Sequence, residues 1–275
     1  MGQMTTRRPV LLLRSGRAAR RPDSLAVEEP LLVRVNGVVL TSTMRTPGHD
    51  FDLVAGWLVS EGAITRAADI AGMKECVDED NTVDVVLAPG VQPPRSRAFA
   101  TTSACGVCGA DRVSEVRDQL TWSLAGDESR IDLAALAGLP DAMRAEQRVF
   151  DRTGGLHAAA LVDAAGKLVV IREDIGRHNA VDKVIGAALM QGQLPLTGHV
   201  LQVSGRASFE LVQKAAAAAI PVLSAVSAPS SLAVDLADDC GLTLVGFVRS
   251  GGMNVYTHPE RIRLGTDYQS PDGTQ

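Results

Sequence analysis

Apolar and polar positions divide the chain into two rhythms. In the first, Val35 and Val38 flank Asn36-Gly37, a pair whose residues both tolerate positive φ. Residues 31–43 are therefore predicted to be two strands joined by a tight turn. Pro47 and Gly48 close that unit. Phe51, Val54, Trp57 and Leu58 then recur at helical spacing, which predicts a helix over 49–60 with Phe51, Val54, Trp57 and Leu58 inward. His49, Asp50 and Asp52 stand at its start, where capping is the ordinary role. Residues 82–87 read as a short strand before a proline-containing stretch over 89–94. This part is predicted to be a small α+β unit.

The second rhythm begins at Gly155. Residues 156–162 and 167–172 are predicted to be paired strands around Gly166, followed by a helix over 178–191. Strands at 199–203, 221–226 and 242–248 then alternate with helices at 207–219 and 230–239. Such alternation implies a largely parallel sheet covered on both faces, an α/β architecture. Between the two rhythms, helical patterns fall near 111–121, 131–137 and 140–150. The expected division is a basic, flexible leader over 1–28, an N-terminal α+β domain over 29–145 and a second domain over 146–275.

Composition narrows the function classes. The chain has 275 residues, 45% hydrophobic but only 3% aromatic, so its core is expected to be built of Ala, Val and Leu. A net charge of −5 provides no general field for phosphate chains and argues against nucleic-acid binding. Arg7, Arg8, Arg14, Arg17, Arg20 and Arg21 make the N-terminus the most basic stretch, but its apolar run over 10–13 is too short for a secretory signal. No segment approaches the roughly 20 apolar residues of a membrane span. Four cysteines without a disulfide framework point to a reducing compartment, and a cytoplasmic location is expected.

Residues 95–110 are small, polar and glycine-bearing, and are predicted to be a loop. They contain Cys105-Gly106-Val107-Cys108. Two thiols at that spacing can share a metal, form a disulfide or pass sulfur between them. Structural zinc ordinarily needs a second ligand pair, and only the separated Cys76 and Cys240 remain. A thioredoxin-like pair should follow a strand and open a helix, whereas the residues upstream here are rich in Arg, Pro and Ser. Sulfur transfer needs an accessible thiolate that forms a persulfide. Gly106 and Gly109 give access, and Arg95, Arg97 and Arg112 offer the positive charge that favours the thiolate.

With this segment, a series of others resembles the formate dehydrogenase accessory sulfurtransferase family (FdhD/NarQ). They include Thr102-Ser-Ala-Cys105-Gly-Val-Cys108, Arg34-Val-Asn-Gly37, the stretch over 46–58 and Glu61-Gly62. Further along are Gly154-Gly-Leu-His157, the stretch over 173–183, Ser204-Gly-Arg206 and the stretch over 247–254. The resemblance runs from about residue 30 to the region of Arg261. It implies a cytidine-deaminase-like, three-layer second domain. It also implies that Cys105 carries sulfane sulfur from a cysteine desulfurase as a persulfide, assisted by Cys108. The acceptor would be the molybdenum (or tungsten) bis-molybdopterin guanine dinucleotide cofactor of formate dehydrogenase, bound as a substrate on the segment over 247–252. A homodimer is implied as well. Non-catalytic escort of that cofactor is the alternative reading.

The residue chemistry of the implied site is suitable. Phe247, Val248, Arg249, Ser250, Gly251 and Gly252 end a predicted strand with a charge, a hydroxyl and close backbone access, although an ordinary turn would read the same. Ser204, Gly205 and Arg206 open a predicted helix after a strand, a natural anion position. Capping by Ser204 or Ser208 is the plainer role. His178, also at a strand-to-helix junction, either meets a ligand or positions Asp182. His157 either lines the site or finishes a turn. Deaminase chemistry needs H-x-E before P-C-x-x-C, and here His178-Asn-Ala lacks the Glu while the CxxC comes earlier. Neither that metal nor any structural metal is expected.

Overall fold

The computed structural model describes residues 2–94 and 109–265. The chain opens with β1 (Thr5–Arg14) and β2 (Arg17–Ala26), an antiparallel hairpin paired from Thr5↔Ala26 to Arg14↔Arg17. This corrects the expected flexible leader. The cause is the Ser15-Gly16 turn: both residues have positive φ (49° and 75°), the twist that joins two strands directly.

Four strands follow: β3 (Glu29–Val35), β4 (Val38–Arg45), β5 (Ile70–Glu75) and β6 (Thr82–Leu87), in sheet order β4-β3-β6-β5. Asn36 and Gly37 make the turn expected of them, with φ of 51° and 84°. Helix α1 (Asp50–Ser60) packs on this sheet. Its buried face is wider than the sequence suggested: Leu53, Val54, Gly56 and Leu58 are inside, whereas Phe51 is 40% exposed and Trp57 is half-buried. The reason is that α1 is held between the sheet and a second helix.

After α2 (Gly109–Asp118) come β7 (Ile131–Asp132), α3 (Leu133–Glu146) and α4 (Arg148–Thr153). A single helix runs through Pro140, where the sequence predicted a break, because Leu136, Leu139 and Met143 bury one continuous face. The second unit contains β8 (His157–Val162), β9 (Leu168–Asp174), α5 (Arg177–Met190), β10 (Val200–Val203) and α6 (Phe209–Ala217). It continues with β11 (Val222–Ala225), α7 (Ser231–Asp239), β12 (Thr243–Arg249), β13 (Gly252–Thr257) and β14 (Ile262–Arg263), the last pairing with β7.

The main sheet has the order β13-β12-β11-β10-β8-β9. Only β10–β11 and β11–β12 pair in parallel; β8–β9, β8–β10 and β12–β13 are antiparallel. The expected largely parallel sheet is thus mixed, because short turns at Gly166 and at Ser250-Gly251 reverse the chain at both edges. Alternate residues of β8 point to opposite layers. Ala159 and Leu161 join the core beneath α5, α6 and α7, while Ala158, Ala160 and Val162 meet Leu136, Leu139 and Met143 of α3. The mixed α/β class read from the sequence is borne out. Helix α3, expected in the first domain, forms the outer layer of the second sheet.

The two units share one core. Helices α1 and α5 touch backbone to backbone: a Cβ on Gly56 would lie 1.8 Å from the Asp182 carbonyl oxygen, and one on Gly186 would lie 1.8 Å from that of Asp52. Beside this crossing, Lys183 and Asp174 are wholly buried with Nζ and Oδ2 2.7 Å apart. Lys183 also donates to the Thr46 carbonyl (2.8 Å), and Asp174 accepts from the N–H groups of Thr46 (3.2 Å) and Gly176 (2.8 Å). Asn179 donates to Asp174 (3.1 Å) and to the Met44 carbonyl (2.8 Å). The end of β4 is thereby stitched to the junction between β9 and α5.

Removing one member of a buried ion pair leaves the other charge uncompensated. Lys183→Met should cost about 3–5 kcal/mol in urea unfolding. Arg263→Ala, which breaks the exposed pair to Asp132, should cost at most about 1 kcal/mol. Equal, small losses would show that the buried pair does not hold the units together.

Candidate functional site

A cleft of about 550 Å³ opens at the carboxyl ends of β10 and β11, between α3–α4 and the sheet. Met143, Arg144 and Phe150 form one wall, and Leu156, His157, Ser204 and Val226 form the other. The stretch over 173–183 builds much of its surroundings. The Glu173 carboxylate accepts from the N–H groups of Val149 (2.9 Å) and Phe150 (2.7 Å), capping α4. Asp174 takes Lys183, and Gly176 begins α5 at a point where a Cβ would come within 2.9 Å of the Asn179 amide. Gly154, at φ 65°, ends α4 and turns the chain into β8.

His157 opens β8 and lines the cleft instead of merely finishing a turn. Burial pushes its pKa down, and the nearby charges of Arg177 and His178 act in the same direction. It is therefore a neutral imidazole at pH 7, able to donate one hydrogen bond and accept another. Among the described residues, the buried Nε of Arg177 has no hydrogen-bond partner. Sequence reading chose His178 from this region, left His157 between lining the site and finishing a turn, and passed over Arg177. The available signal was their shared position at ends of neighbouring strands.

His178 does not position Asp182. Its Nε2 lies 2.7 Å from Glu210, with the Ser208 hydroxyl 3.5 Å away. Asp182 instead takes Lys214 (2.8 Å) and the Ser60 hydroxyl (2.7 Å). Ser204 accepts from the Ala158 N–H (2.9 Å), fixing β10 to β8. Gly205 lies beside His157, and Arg206 is exposed. Neither serine caps α6 through its side chain: Ser208 is the cap residue, but its hydroxyl makes no cap bond. Three helices, α5, α6 and α7, begin on this rim, each aiming its positive dipole end at it.

The loops after β10, β11 and β12 lie side by side. The Ser227 N–H donates to Gly205, and the Phe247 N–H donates to Ser227, both at 3.3 Å. Phe247 stands at φ 54° within a bulge between Gly246 and Arg249, an uncommon conformation for an aromatic residue. Val248 faces the core and presents no side chain to a ligand, because it follows the pleat inward. Arg249 and Gly252 pair across a tight turn containing Ser250 and Gly251, all four exposed. This turn is not part of the cleft wall. At the start of α1 no side chain forms the expected cap: Asp50 takes Arg45 (3.0 Å) and Asp52 takes Arg172 (2.8 Å).

Cys105 and Cys108, together with Arg95 and Arg97, lie outside the described residues. Of the other two thiols, Cys240 is buried, and burial with Asp239 beside it pushes its pKa up to about 11. It stays protonated and inert at neutral pH. Cys76, half-buried, accepts a contact from Arg34 at 3.8 Å. Among the described residues, no group of three or more His, Cys, Asp or Glu side chains is arranged to hold a metal.

The hydrogen bond and charge of His178 hold the Glu210 carboxyl well below its usual 4.5, at about 2, with Lys214 and Arg177 adding to the effect. Its contribution to stability is full above 4.5 and is lost as pH falls through about 2. An NMR titration should find Glu210 near 2, and in His178→Ala its pKa should rise towards 4.5. An unmoved value would separate the two side chains in solution.

Comparison with known proteins places this chain. A model of the FdhD/NarQ family matches residues 26–263. A protein of Streptomyces coelicolor named sulfur carrier protein FdhD is 55% identical over 275 residues, covering 96% of this chain and 98% of its own. One of the same name from Mycobacterium tuberculosis is 51% identical over 275 residues, covering 95% and 100%. In fold, the chain resembles a crystal structure assigned to a formate dehydrogenase accessory protein of Desulfotalea psychrophila. That likeness has a TM-score of 0.76 at 24% identity and covers 95% of this chain and all of that one. With a family model spanning most of its length and relatives more than half identical, this chain belongs to the FdhD/NarQ family.

Proposed function

We propose that this protein is a sulfur carrier acting in the maturation of formate dehydrogenase. Cys105 is the carrying thiol. Its thiolate attacks the terminal sulfur of a persulfide on a cysteine desulfurase; the donor's S–S bond breaks, the donor thiolate leaves, and Cys105 becomes a persulfide. The acceptor then supplies the electron pair for a new bond to that terminal sulfur, and the Cys105 thiolate is released. Cys108 assists. The acceptor is the molybdenum bis-molybdopterin guanine dinucleotide cofactor, bound as substrate on a cytidine-deaminase-like scaffold, and the work takes place in the cytoplasm. Among the described residues no helix is long and apolar enough to cross a membrane.

The observation that carries this reading is the rim cleft. Its size suits part of a dinucleotide and its wall contains the neutral His157; three helices begin on the same rim, and Arg177, whose Nε is unpartnered among the described residues, is near enough to His157 to lower its pKa. These are groups that bind phosphates. The exposed turn at Arg249–Gly252 offers a second, glycine-edged contact next to the rim.

Incubation with a cysteine desulfurase and cysteine should add a reducible sulfur to Cys105, seen by mass spectrometry and absent in Cys105→Ala. Equal labelling of that variant would remove Cys105 from the reaction and favour simple escort of the cofactor. Cys108→Ala should lower transfer while leaving some loading. GDP, standing for half of the cofactor, should bind the wild type. Arg177→Ala and Arg249→Ala, checked for folding by circular dichroism, should each bind it about tenfold more weakly or worse. Unchanged affinity in both would place the guanine half elsewhere.

A further inference from the structure

One wall of the rim cleft lies where α3 gives way to α4, and the joint between them is Gln147. Its backbone, at φ −78° and ψ 72°, leaves the helical region, so one helix stops and the next starts. The backbone groups are satisfied. The Gln147 N–H donates to the Arg144 carbonyl (3.3 Å), and the Gln147 carbonyl accepts from the Asp151 N–H (3.0 Å). The side chain differs. It lines the cleft, the residue is only 3% exposed, and it makes no cap bond to α4. Among the described residues, nothing hydrogen-bonds its amide. The other buried glutamine shows what the fold does when an amide is structural: Gln202 donates to the Val203 carbonyl (3.0 Å) and accepts from the Ser224 hydroxyl.

A primary amide withdrawn from water without partners is unfavourable, and an apolar side chain of the same length would fill the joint without that loss. Glutamine at this place therefore suits a ligand better than it suits the fold. The neighbours indicate the ligand's shape. The Arg144 guanidinium lies over the Phe150 ring, its Cζ 4.6 Å from the centroid. Asp151 holds Arg144 at 2.6 Å, and Glu173 holds the Phe150 backbone at 2.7 Å. Met143 completes this wall, with Leu156 and Val226 on the other. Flat and apolar sides with one amide suit a planar heterocycle. Its faces pack on the aromatic ring and the guanidinium. Its edge meets the amide, which offers a donor and an acceptor side by side. Arg177 stands near His157, on the strand side, so phosphates and ring have separate walls.

We propose that Gln147 reads the edge of a 2-amino-4-oxopyrimidine ring, the pattern shared by guanine and pterin, while Phe150 and Arg144 take its face. The amide Nε2–H donates to the ring's exocyclic oxygen, and Oε1 accepts from the adjoining ring N–H. The choice of ring rests on the sulfur-carrier reading, whose cofactor contains both heterocycles. The assignment of Gln147 rests on its burial and its lack of partners.

Calorimetric titration of GDP and of free pterin into the full chain tests this, with thermal unfolding of the ligand-free protein beside it. Gln147→Met, of nearly the same shape, should leave the Tm unchanged or raise it, because an unpartnered amide is removed. It should weaken binding of GDP, of pterin or of both about tenfold or more. Gln147→Leu is a second apolar replacement, with the same outcome expected. A loss confined to GDP assigns the wall to guanine, and a loss confined to pterin assigns it to the pterin. Losses for both mean that either ring fits. Unchanged affinity for both probes overturns the proposal, as does failure of the wild type to bind either one. A Tm lowered by more than about 2 °C in both variants overturns it too, since the amide would then be holding the two helices. Persulfide loading at Cys105 separates the two readings. Loading that survives any of these failures leaves the sulfur carrier standing. A protein that takes no sulfur, yet binds GDP or pterin tenfold more weakly as Gln147→Met, keeps this wall and loses that function.

Discussion

A buried ammonium and a buried carboxylate set the terms for much of this molecule. Lys183 and Asp174 have no access to water, and taking two charges out of water is unfavourable unless every remaining hydrogen-bonding position is used. The protein meets that condition by recruiting backbone from elsewhere. The Thr46 carbonyl and N–H, the Gly176 N–H and the Asn179 amide complete the arrangement. Satisfying the pair therefore fixes where β4 ends, where β9 ends and where α5 starts. The first turn of α5 bears Arg177 and His178, so the electrostatics of the cleft depend on a contact made by the other unit.

Much of the fold was legible in the sequence. Asn36-Gly37 marked its turn, and the alternation after Gly155 marked the strands and helices of the second unit. Legibility failed where pairing carries the structure. Residues 5–26 contain too many arginines to look like strands, yet backbone pairing around Ser15-Gly16 does not need a hydrophobic face on both sides. Strand β13 was hidden because Gly251-Gly252 resembles a loop, whereas the turn is tight and pairing resumes at Gly252. Pro140 resembled a helix break, but burial of Leu136, Leu139 and Met143 outweighs the lost hydrogen bond.

The site was partly legible for a similar reason. Motifs identified the segments, but not which atoms in them face a ligand. Val248 belongs to the core, Ser204 is committed to Ala158, and His178 to Glu210. His157 and Arg177 gain their meaning only from the pairing of β8 with β9, which brings the start of one strand beside the end of the other. Burial is the main reason His157 stays neutral, and that adjacency adds to it: a second positive charge beside Arg177 is unfavourable.

The contact at Gly56 and Gly186 bears on how the protein comes apart. From Asn179 to Leu189 every residue of α5 is buried, with the sheet on one side and α1 on another. A helix enclosed in this way cannot open locally, since freeing either end requires α1 to leave with its own sheet. The amide protons of α5 will then exchange with solvent only through global unfolding. Two units distinct in topology thus behave as one cooperative body, and a ligand gripping the rim of the second would raise the melting temperature of the first.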